Sequence, residues 1–160
     1  MISIIEVPFD EPRAQALWAE QQVELAQIYG EPDIHPQVSA DGVIVSLLAL
    51  DAAGTPVGTV FARWSHYHPG DPVTGEPSAA EVKRLYVVPA ARGNAYAALL
   101  MQELETRLWA SGAARIVLET GVLQPAAIAT YGRLGYERID NFGPYEDEED
   151  SVCMGKVRPV

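Results

Sequence analysis

The sequence predicts a mixed α/β fold, in which a central sheet of parallel and antiparallel strands carries helices on both faces. Apolar residues recur at helical spacing in three segments, and short β-rich runs bounded by glycine or proline lie between them. The elements follow in the order βαββ, then β-loop-α-β, then αββ, as expected for a layered α/β domain. With 160 residues and a mean hydropathy near zero, we expect residues 1–160 to form one domain.

The first half of the chain is predicted to form strands at Ile2–Val7, Val43–Leu50 and Val57–Trp64. A helix begins after Asp10-Glu11-Pro12 and continues to about Tyr29, with Gly30 placed as its C-cap. The short Asp51-Ala52-Ala53-Gly54 segment between the second and third strands predicts a hairpin. Ser65–Ser78 contains three prolines and two glycines and is predicted to be a loop.

The second half is predicted to add strands at Glu81–Val88, Arg115–Thr120, Tyr136–Asp140 and Ser151–Val157. A strongly amphipathic helix runs from Asn94 to Ala110, and Gly112 ends it. A further helix covers Gln124–Leu134, with Gly135 as its C-cap. These elements complete the mixed sheet with helices on both faces.

Composition excludes several classes of function. The formal net charge is −11, so no basic surface is available to displace counterions from a nucleic-acid duplex. No apolar run approaches the roughly 20 residues of a membrane span, and the N-terminal segment carries acids where a signal peptide carries basic residues. We therefore expect no membrane partner and a cytoplasmic location. The single cysteine, Cys153, cannot form an internal disulfide, which fits a reducing compartment.

Residues 80–105 have the layout of an anion site. A strand is followed by a proline turn, a loop of small residues and an amphipathic helix. Small residues at a helix start let backbone N–H groups approach phosphate oxygens, and the helix dipole favours negative charge there. Arg92 would add a charge-assisted contact. Turns that merely pack tightly use the same small residues, so this segment alone leaves both interpretations open.

Two segments together carry a resemblance to a known family. The loop Arg92-Gly93-Asn94-Ala95-Tyr96-Ala97 resembles the pyrophosphate loop of motif A of the GNAT superfamily, which reads Gln/Arg-x-x-Gly-x-Gly/Ala. Residues 124–137 resemble motif B, and the residues at its pattern positions are Gln124, Ala127, Tyr131, Gly135 and Tyr136. Both motifs occur in the family's order and separation. The resemblance implies a splayed central sheet of about seven strands. It also implies an acetyl-CoA-dependent N-acetyltransferase that needs no metal.

The resemblance also implies coenzyme contacts. The backbone of Leu85, Tyr86 and Val87 would pair with the pantetheine arm as an added strand, with an N–H near Val87 facing the thioester carbonyl. The amides of Arg92, Gly93, Asn94, Ala95, Tyr96 and Ala97 would hold the pyrophosphate, and Gln124 belongs to the same site. Two residues depart from the family pattern. Ala95 replaces the usual glycine and Gln124 the usual asparagine, so a relative that binds no coenzyme is the alternative.

Two residues are candidates for catalysis. Motif B places Tyr131 as the general acid that protonates the departing thiolate, whereas the alternative is a core aromatic on the apolar face of its helix. Glu81 lies eleven residues before Arg92, the spacing at which the superfamily's histone acetyltransferases place a general base. The alternative for Glu81 is an exposed strand-end carboxylate that pairs with Lys83. Lys83 and Arg84 themselves are either coenzyme contacts or solvated charges, and we favour solvated charges.

The remaining polar residues favour structural roles. His66 and His68 flank Tyr67, and no cysteine or HExxH pattern joins them in a metal site, so we expect exposed loop residues. Cys153 is expected to be buried and inert. The five consecutive acids of Glu146–Asp150 are expected to be a solvated turn.

The acceptor is predicted only as a primary amine, on a small molecule. Residues 1–80 hold two basic and eleven acidic side chains, a net of −9, whereas residues 81–160 hold nine basic and eleven acidic, a net of −2. Because the first half supplies most of the acceptor side in this superfamily, we expect a cationic amine, provided that these acids converge on the pocket. A protein N-terminus or lysine is an alternative acceptor, and a non-catalytic acyl-CoA sensor is an alternative function. A homodimer is compatible with the sequence.

Overall fold

The computed structural model describes residues 1–30 and 38–160. Within these residues the chain forms strands β1 Ser3–Glu6, β2 Val43–Leu50, β3 Pro56–Trp64, β4 Ala79–Val87, β5 Arg115–Gly121, β6 Glu137–Arg138 and β7 Ser151–Val157. The α-helices are α1 Pro12–Tyr29, α2 Tyr96–Ala110 and α3 Pro125–Arg133. No helix of the described part is long and apolar enough to cross a membrane.

All seven strands form one sheet in the order β1-β2-β3-β4-β5-β7-β6. Neighbouring strands are antiparallel except β4 and β5, which run parallel. A parallel pair needs a crossover connection, and α2 supplies it. The predicted mixed sheet is therefore confirmed, with its one parallel pair between the N-terminal and C-terminal groups of strands.

Helices cover both faces of the sheet, as the sequence predicts. Side chains alternate between the faces along a strand, so β2 contributes neighbouring residues to two different cores. Leu47 packs in the larger core with Leu100 and Leu104 of α2. Leu48 packs in a second core with Leu17 of α1. The two helices thus lie on opposite sides of the sheet.

Most predicted boundaries lie within one residue of the structure, and the larger differences are in β4, which begins at Ala79 rather than at Glu81, in α2 and in β6. Helix α2 begins at Tyr96 rather than at Asn94, because Ala95 adopts a left-handed backbone with φ 62° that cannot continue a right-handed helix. Strand β6 contains only Glu137 and Arg138 instead of the predicted Tyr136–Asp140, since only these two residues pair with β7.

The central strands β4 and β5 separate soon after they meet. They pair only over Ala79–Glu81 and Arg115–Val117. Beyond that point β5 stays paired with β7 as far as Gly121, whereas β4 stays with β3. Arg84, with φ 60°, lies at a register shift between β3 and β4 and bends β4 at this position. The sheet is therefore splayed, and a cleft opens between the two strands.

Candidate active site

One wall of the cleft is the unpaired edge of β4. Val88 N–H donates to Val57 O at 2.9 Å, and Tyr86 lies opposite Thr59. Alternate residues of an antiparallel pair turn their backbone groups toward and away from the partner strand. The N–H and C=O groups of Leu85 and Val87 therefore face away from β3, toward the cleft, whereas those of Tyr86 face β3. We call Leu85–Val87 the open edge.

The loop after the open edge forms the N-terminus of α2. Gly93 and Ala95 both have left-handed backbones, with φ 86° and 62°. The Asn94 side chain donates to Ala91 O at 2.9 Å and ties the turn together. The first backbone N–H groups of an α-helix have no partner within the helix, so this turn presents them at the end of the cleft. Such an arrangement suits a pyrophosphate.

Arg92 is held at the rim of the cleft by three contacts. Its Nε donates to Val87 O at 2.9 Å, and its Nη2 donates to both Glu24 carboxylate oxygens at 2.8 and 2.9 Å. Its guanidinium also lies 5.6 Å from the centre of the Tyr86 ring. Gln21, one helical turn before Glu24, donates to Leu85 O at 2.8 Å. Helix α1 therefore contacts both outward-facing carbonyls of the open edge, directly or through Arg92.

Glu81 lies where β4 and β5 part, and it is fully buried, with 0% of its surface exposed. Its Oε1 accepts from Arg63 Nε at 3.1 Å, and its Oε2 lies 3.4 Å from Lys83 Nζ. The pairing with Lys83 that the alternative role requires is present, but the carboxylate is not exposed, because Glu81 lies inside the sheet between β3 and β5.

Lys83 also differs from the expectation of a solvated charge. Only 20% of its side chain is exposed. Its Nζ donates to the Tyr145 hydroxyl at 2.9 Å and lies 5.5 Å from the centre of that ring. The β6–β7 loop thus covers Lys83, and the ion pair of Lys83 with Glu81 lies beneath this loop.

Glu119 on β5 is a further acid in this cleft, and the sequence analysis missed it. Its Cα partner on β7 is Cys153, and its Oε1 accepts from the Ser151 hydroxyl at 3.4 Å. The pKa of Glu119 is raised to about 7, chiefly by burial; the charge of Lys83 and the Ser151 hydrogen bond oppose this rise, and the charges of Glu81 and Glu148 add to it. An acid inside the apolar strand IVLET was the available signal.

Tyr131 on α3 is a buried tyrosine whose hydroxyl senses the charge of Glu119. It is 7% exposed and packs edge-to-face with Tyr136 at 5.8 Å between ring centres. Burial, and after it the charge of Glu119, raises the pKa of the Tyr131 hydroxyl, so the phenol stays protonated at neutral pH. Tyr131 therefore belongs to the hydrophobic core, as expected if it is only a core aromatic residue. Its hydroxyl also experiences the negative charge of Glu119.

Gln124 precedes α3 and lies at the far end of the cleft. Its Nε2 donates to the Tyr29 hydroxyl at 3.3 Å. That hydroxyl lies so close to Gly121 that a side chain at position 121 would not fit. The C-terminal end of α1 thus contacts the turn between β5 and α3.

The remaining predicted features lie where the sequence placed them, with one exception. His66 and the acids of Glu146–Asp150 are exposed, and Cys153 is buried. His68 is half-buried rather than exposed, because its ring packs on Phe142 at 4.7 Å between ring centres. Across the described residues, no group of His, Cys, Asp and Glu side chains is arranged to hold a metal ion.

Comparison with known proteins agrees with this geometry. The family model described as the acetyltransferase (GNAT) family matches residues 9–136, which is most of the chain. The chain belongs to the GNAT acetyltransferase family. This family uses acetyl-CoA as co-substrate.

Similar proteins differ in sequence identity to this chain and in the share of their length that is matched. A curated relative from Azospirillum brasilense, named IAA acetyltransferase, is 38% identical over 81 residues, which cover 51% of this chain and 53% of that protein. The chain therefore spans about half the length of this curated relative. A solved structure from Klebsiella pneumoniae, assigned as an acyl-CoA N-acyltransferase, has 28% identity and a TM-score of 0.80, with 98% of this chain and 97% of that chain covered.

A GNAT acetyltransferase structure from Staphylococcus aureus shares the fold at 16% identity, with a TM-score of 0.71 and coverage of 98% and 99% of the two chains. The splayed mixed sheet is therefore the fold of GNAT acetyltransferases.

Proposed function

We propose that this GNAT protein transfers the acetyl group of acetyl-CoA to a primary amine by direct attack. The observation that carries the proposal is the cleft between β4 and β5, which has the open edge on one side and Glu119 on the other. An extended chain that lies along the open edge would accept hydrogen bonds from the N–H groups of Leu85 and Val87. The loop Arg92–Ala97 lies at the end of that edge and suits the pyrophosphate.

The open edge and the loop together favour the predicted coenzyme contacts at Leu85, Val87, Arg92, Gly93, Asn94, Ala95, Tyr96 and Ala97. Tyr86 turns its backbone toward β3, so its contribution would come from its ring beside Arg92. Gln124 would contribute through its side-chain amide, which now bonds Tyr29.

Two groups would move protons in the reaction. The amine nitrogen forms a bond to the thioester carbon and loses a proton, and the carbon–sulfur bond then breaks to release a thiolate. Glu119 suits the first proton transfer, because a pKa of about 7 is matched to a general base near neutral pH. Tyr131 is proposed for the second, because its hydroxyl is protonated at neutral pH and can pass that proton to the thiolate, leaving a phenolate. The Val87 N–H would stabilise the oxyanion.

Glu81 remains the second candidate for the base. Both of its oxygens lie within ion-pair distance of a cation, so an amine would compete with Arg63 and Lys83 for them. We therefore propose that Glu81 mainly positions these two cations and that Glu119 accepts the proton.

The acceptor is proposed to be a small molecule, since the β6–β7 loop covers the cleft at Lys83. A protein N-terminus or lysine is the second candidate, and the cationic amine favoured by the charge count stays a prediction. The Azospirillum relative bears the name IAA acetyltransferase, which makes its named substrate one member of the panel to be tested.

The test is release of the coenzyme thiol from acetyl-CoA across a panel of amines. We expect turnover with some amines, a loss of roughly 10²-fold in kcat for Glu119→Gln and for Tyr131→Phe, and nearly intact coenzyme affinity for both. Glu137→Gln, an exposed acid on β6, is the matched control. Binding of acetyl-CoA without thiol release for any amine would instead favour the sensor.

A further inference from the structure

Two cations lie inside the cleft beside the proposed base. Arg63 is opposite Glu81 on the neighbouring strand, and Glu81 is opposite Val117, two residues before Glu119. Paired residues and every second residue along a strand share one face of a sheet, so Arg63, Lys83 and Glu119 project from the same face. The side chains of Arg63 and Lys83 are only 12% and 20% exposed. They are therefore part of the cleft and not of the outer surface.

Glu81 does not use all the hydrogen-bond donors of these cations. It contacts the guanidinium of Arg63 through Nε alone. Within the part of the chain that the structure describes, no other hydrogen bond is made by that guanidinium, which leaves its two Nη groups as donors. Lys83 uses its ammonium for the Tyr145 hydroxyl and for the ion pair with Glu81, and a third proton remains.

Among these two cations and the acids Glu81 and Glu119, the charges balance only while Glu119 is ionised. Arg63 and Lys83 face one fixed partner, Glu81, and the other acid, Glu119, is the group that must take up a proton during the reaction. When it does so, the cleft holds two cations and one carboxylate. Repulsion between the two cations is stronger at short distance and where water is excluded, so this excess of positive charge is unfavourable. A second carboxylate would remove it.

We propose that the acceptor is an amine that also carries a carboxylate, as an α-amino acid does, and that Arg63 and Lys83 bind this carboxylate. The inference rests on the proposed acetyl transfer and names its substrate class. Guanidinium Nη groups bind carboxylates through parallel, charge-assisted hydrogen bonds, which also fix orientation. With its carboxylate on these cations, the substrate would turn its amine toward Glu119.

This substrate class differs from the cationic amine that the charge count favours. The charge count used only the number of acidic residues in the first half of the chain, whereas the structure shows where the described ones lie. The acids of Glu146–Asp150, like most of those before residue 80, are exposed, and salt screens exposed charges within about 10 Å. Arg63 and Lys83 are largely buried and lie on the same face of the sheet as the proposed base, so their charges determine which acceptor charge is favoured at the reacting centre.

The experiment compares kcat/KM at saturating acetyl-CoA for α-amino acids, their C-terminal amides, the matching amines without a carboxyl group, and diamines. We expect the best amino acid to exceed its own amide by about tenfold or more, because a site built for a carboxylate rejects an analogue that lacks it. In Arg63→Gln the ratio of acid to amide should fall toward one, mainly through KM of the acid, and Arg63→Lys should restore part of it. Lys83→Gln is the second variant, and Arg138→Gln, an exposed arginine on β6, is the control.

Equal or better turnover of the amides or diamines would overturn this inference and leave the proposed acetyl transfer standing. So would an Arg63→Gln variant that slows acid and amide by the same factor. A protein that releases no thiol with any amine would overturn the proposed function itself. Stabilisation of each variant by acetyl-CoA in thermal unfolding establishes that it is folded before the ratios are compared.

Discussion

At the scale of single residues, Glu119 and Tyr131 form the pair on which the proposed chemistry depends. The same low-dielectric surroundings act on both groups, but with different consequences. Burial brings the carboxyl group of Glu119 to a pKa of about 7, where it exchanges protons at neutral pH. Burial keeps the phenol of Tyr131 protonated. One environment thus separates a base from an acid, which is the usual way in which two titratable neighbours acquire distinct roles.

The raised pKa of Glu119 predicts a pH-dependent cost in stability. Its folded-state pKa of about 7 lies above the ordinary value of 4.5, so the free energy of unfolding is highest below about pH 4.5, falls as pH rises from 4.5 to 7, and stays lowered above pH 7. Glu119→Gln removes the charge and should raise the free energy of unfolding by about 1 to 3 kcal/mol near pH 8, and much less near pH 5. Urea unfolding at both pH values measures this difference. Glu137→Gln should show no such pH dependence, and a uniform shift for Glu119→Gln would contradict the assignment.

Ala95 supports a second prediction at this scale. It holds a left-handed backbone, with φ 62°, at the start of α2, where a methyl group is unfavourable. Ala95→Gly should therefore stabilise the protein by about 0.5 to 1 kcal/mol, despite the greater flexibility of glycine when unfolded. Ala98→Gly, inside the helix, should destabilise it by a similar amount. If both variants lose stability equally in chemical unfolding, Ala95 is not strained.

The sequence predicts some of these residues and not others for a physical reason. Tyr131 and the loop Arg92–Ala97 are found through local patterns, which survive in a linear sequence. The burial of Glu81, the contact of Lys83 with Tyr145 and the position of Glu119 depend on which strands are neighbours. Residues 62 positions apart, such as Lys83 and Tyr145, meet only through the order of the sheet. Local periodicity carries no information on that order.

At the scale of elements, the helices and the β2–β3 hairpin were predicted nearly to their ends, because periodicity and capping are local. The separation of β4 from β5 was implied only by the family resemblance. It arises because β5 continues to pair with β7 beyond Val117, while β4 follows β3 and bends at Arg84. The cleft is therefore a consequence of competing strand partners and not of any one segment.

Helix α1 contacts the open edge, through Gln21 and through the ion pair of Glu24 with Arg92. We predict that Glu24 competes with the pyrophosphate for Arg92. Glu24→Gln should tighten acetyl-CoA binding by about 1.4- to fivefold, which corresponds to the roughly 0.2–1 kcal/mol of an exposed ion pair. Isothermal titration calorimetry measures the affinity. Glu103→Gln breaks a similar exposed ion pair on α2, with Arg107, and should leave the affinity for acetyl-CoA unchanged. Weaker binding in Glu24→Gln would mean that Glu24 orients Arg92 for the coenzyme.

At the scale of the whole molecule, the coenzyme should join the two halves of the sheet that separate at Glu81 and Val117. A ligand that binds only the folded state raises stability by mass action, by about 2.7 kcal/mol at a concentration of 100 Kd. For a chain of this size that corresponds to a rise in Tm of roughly 5 to 10 °C. Differential scanning calorimetry with and without acetyl-CoA measures it.

The same measurement tests whether the stabilisation comes through the loop before α2. Ala97 lies in the first turn of that helix, where a bulky side chain would block the approach of a phosphate to the backbone amides. Ala97→Leu should remove the acetyl-CoA-dependent rise in Tm, whereas Ala110→Leu, at the other end of the same helix, should keep it. An unchanged Tm of the unmodified protein at saturating acetyl-CoA would exclude coenzyme binding, since any ligand selective for the folded chain must stabilise it. A rise that persists in Ala97→Leu would place the pyrophosphate elsewhere, because the helix N-terminus would then not be the anion site.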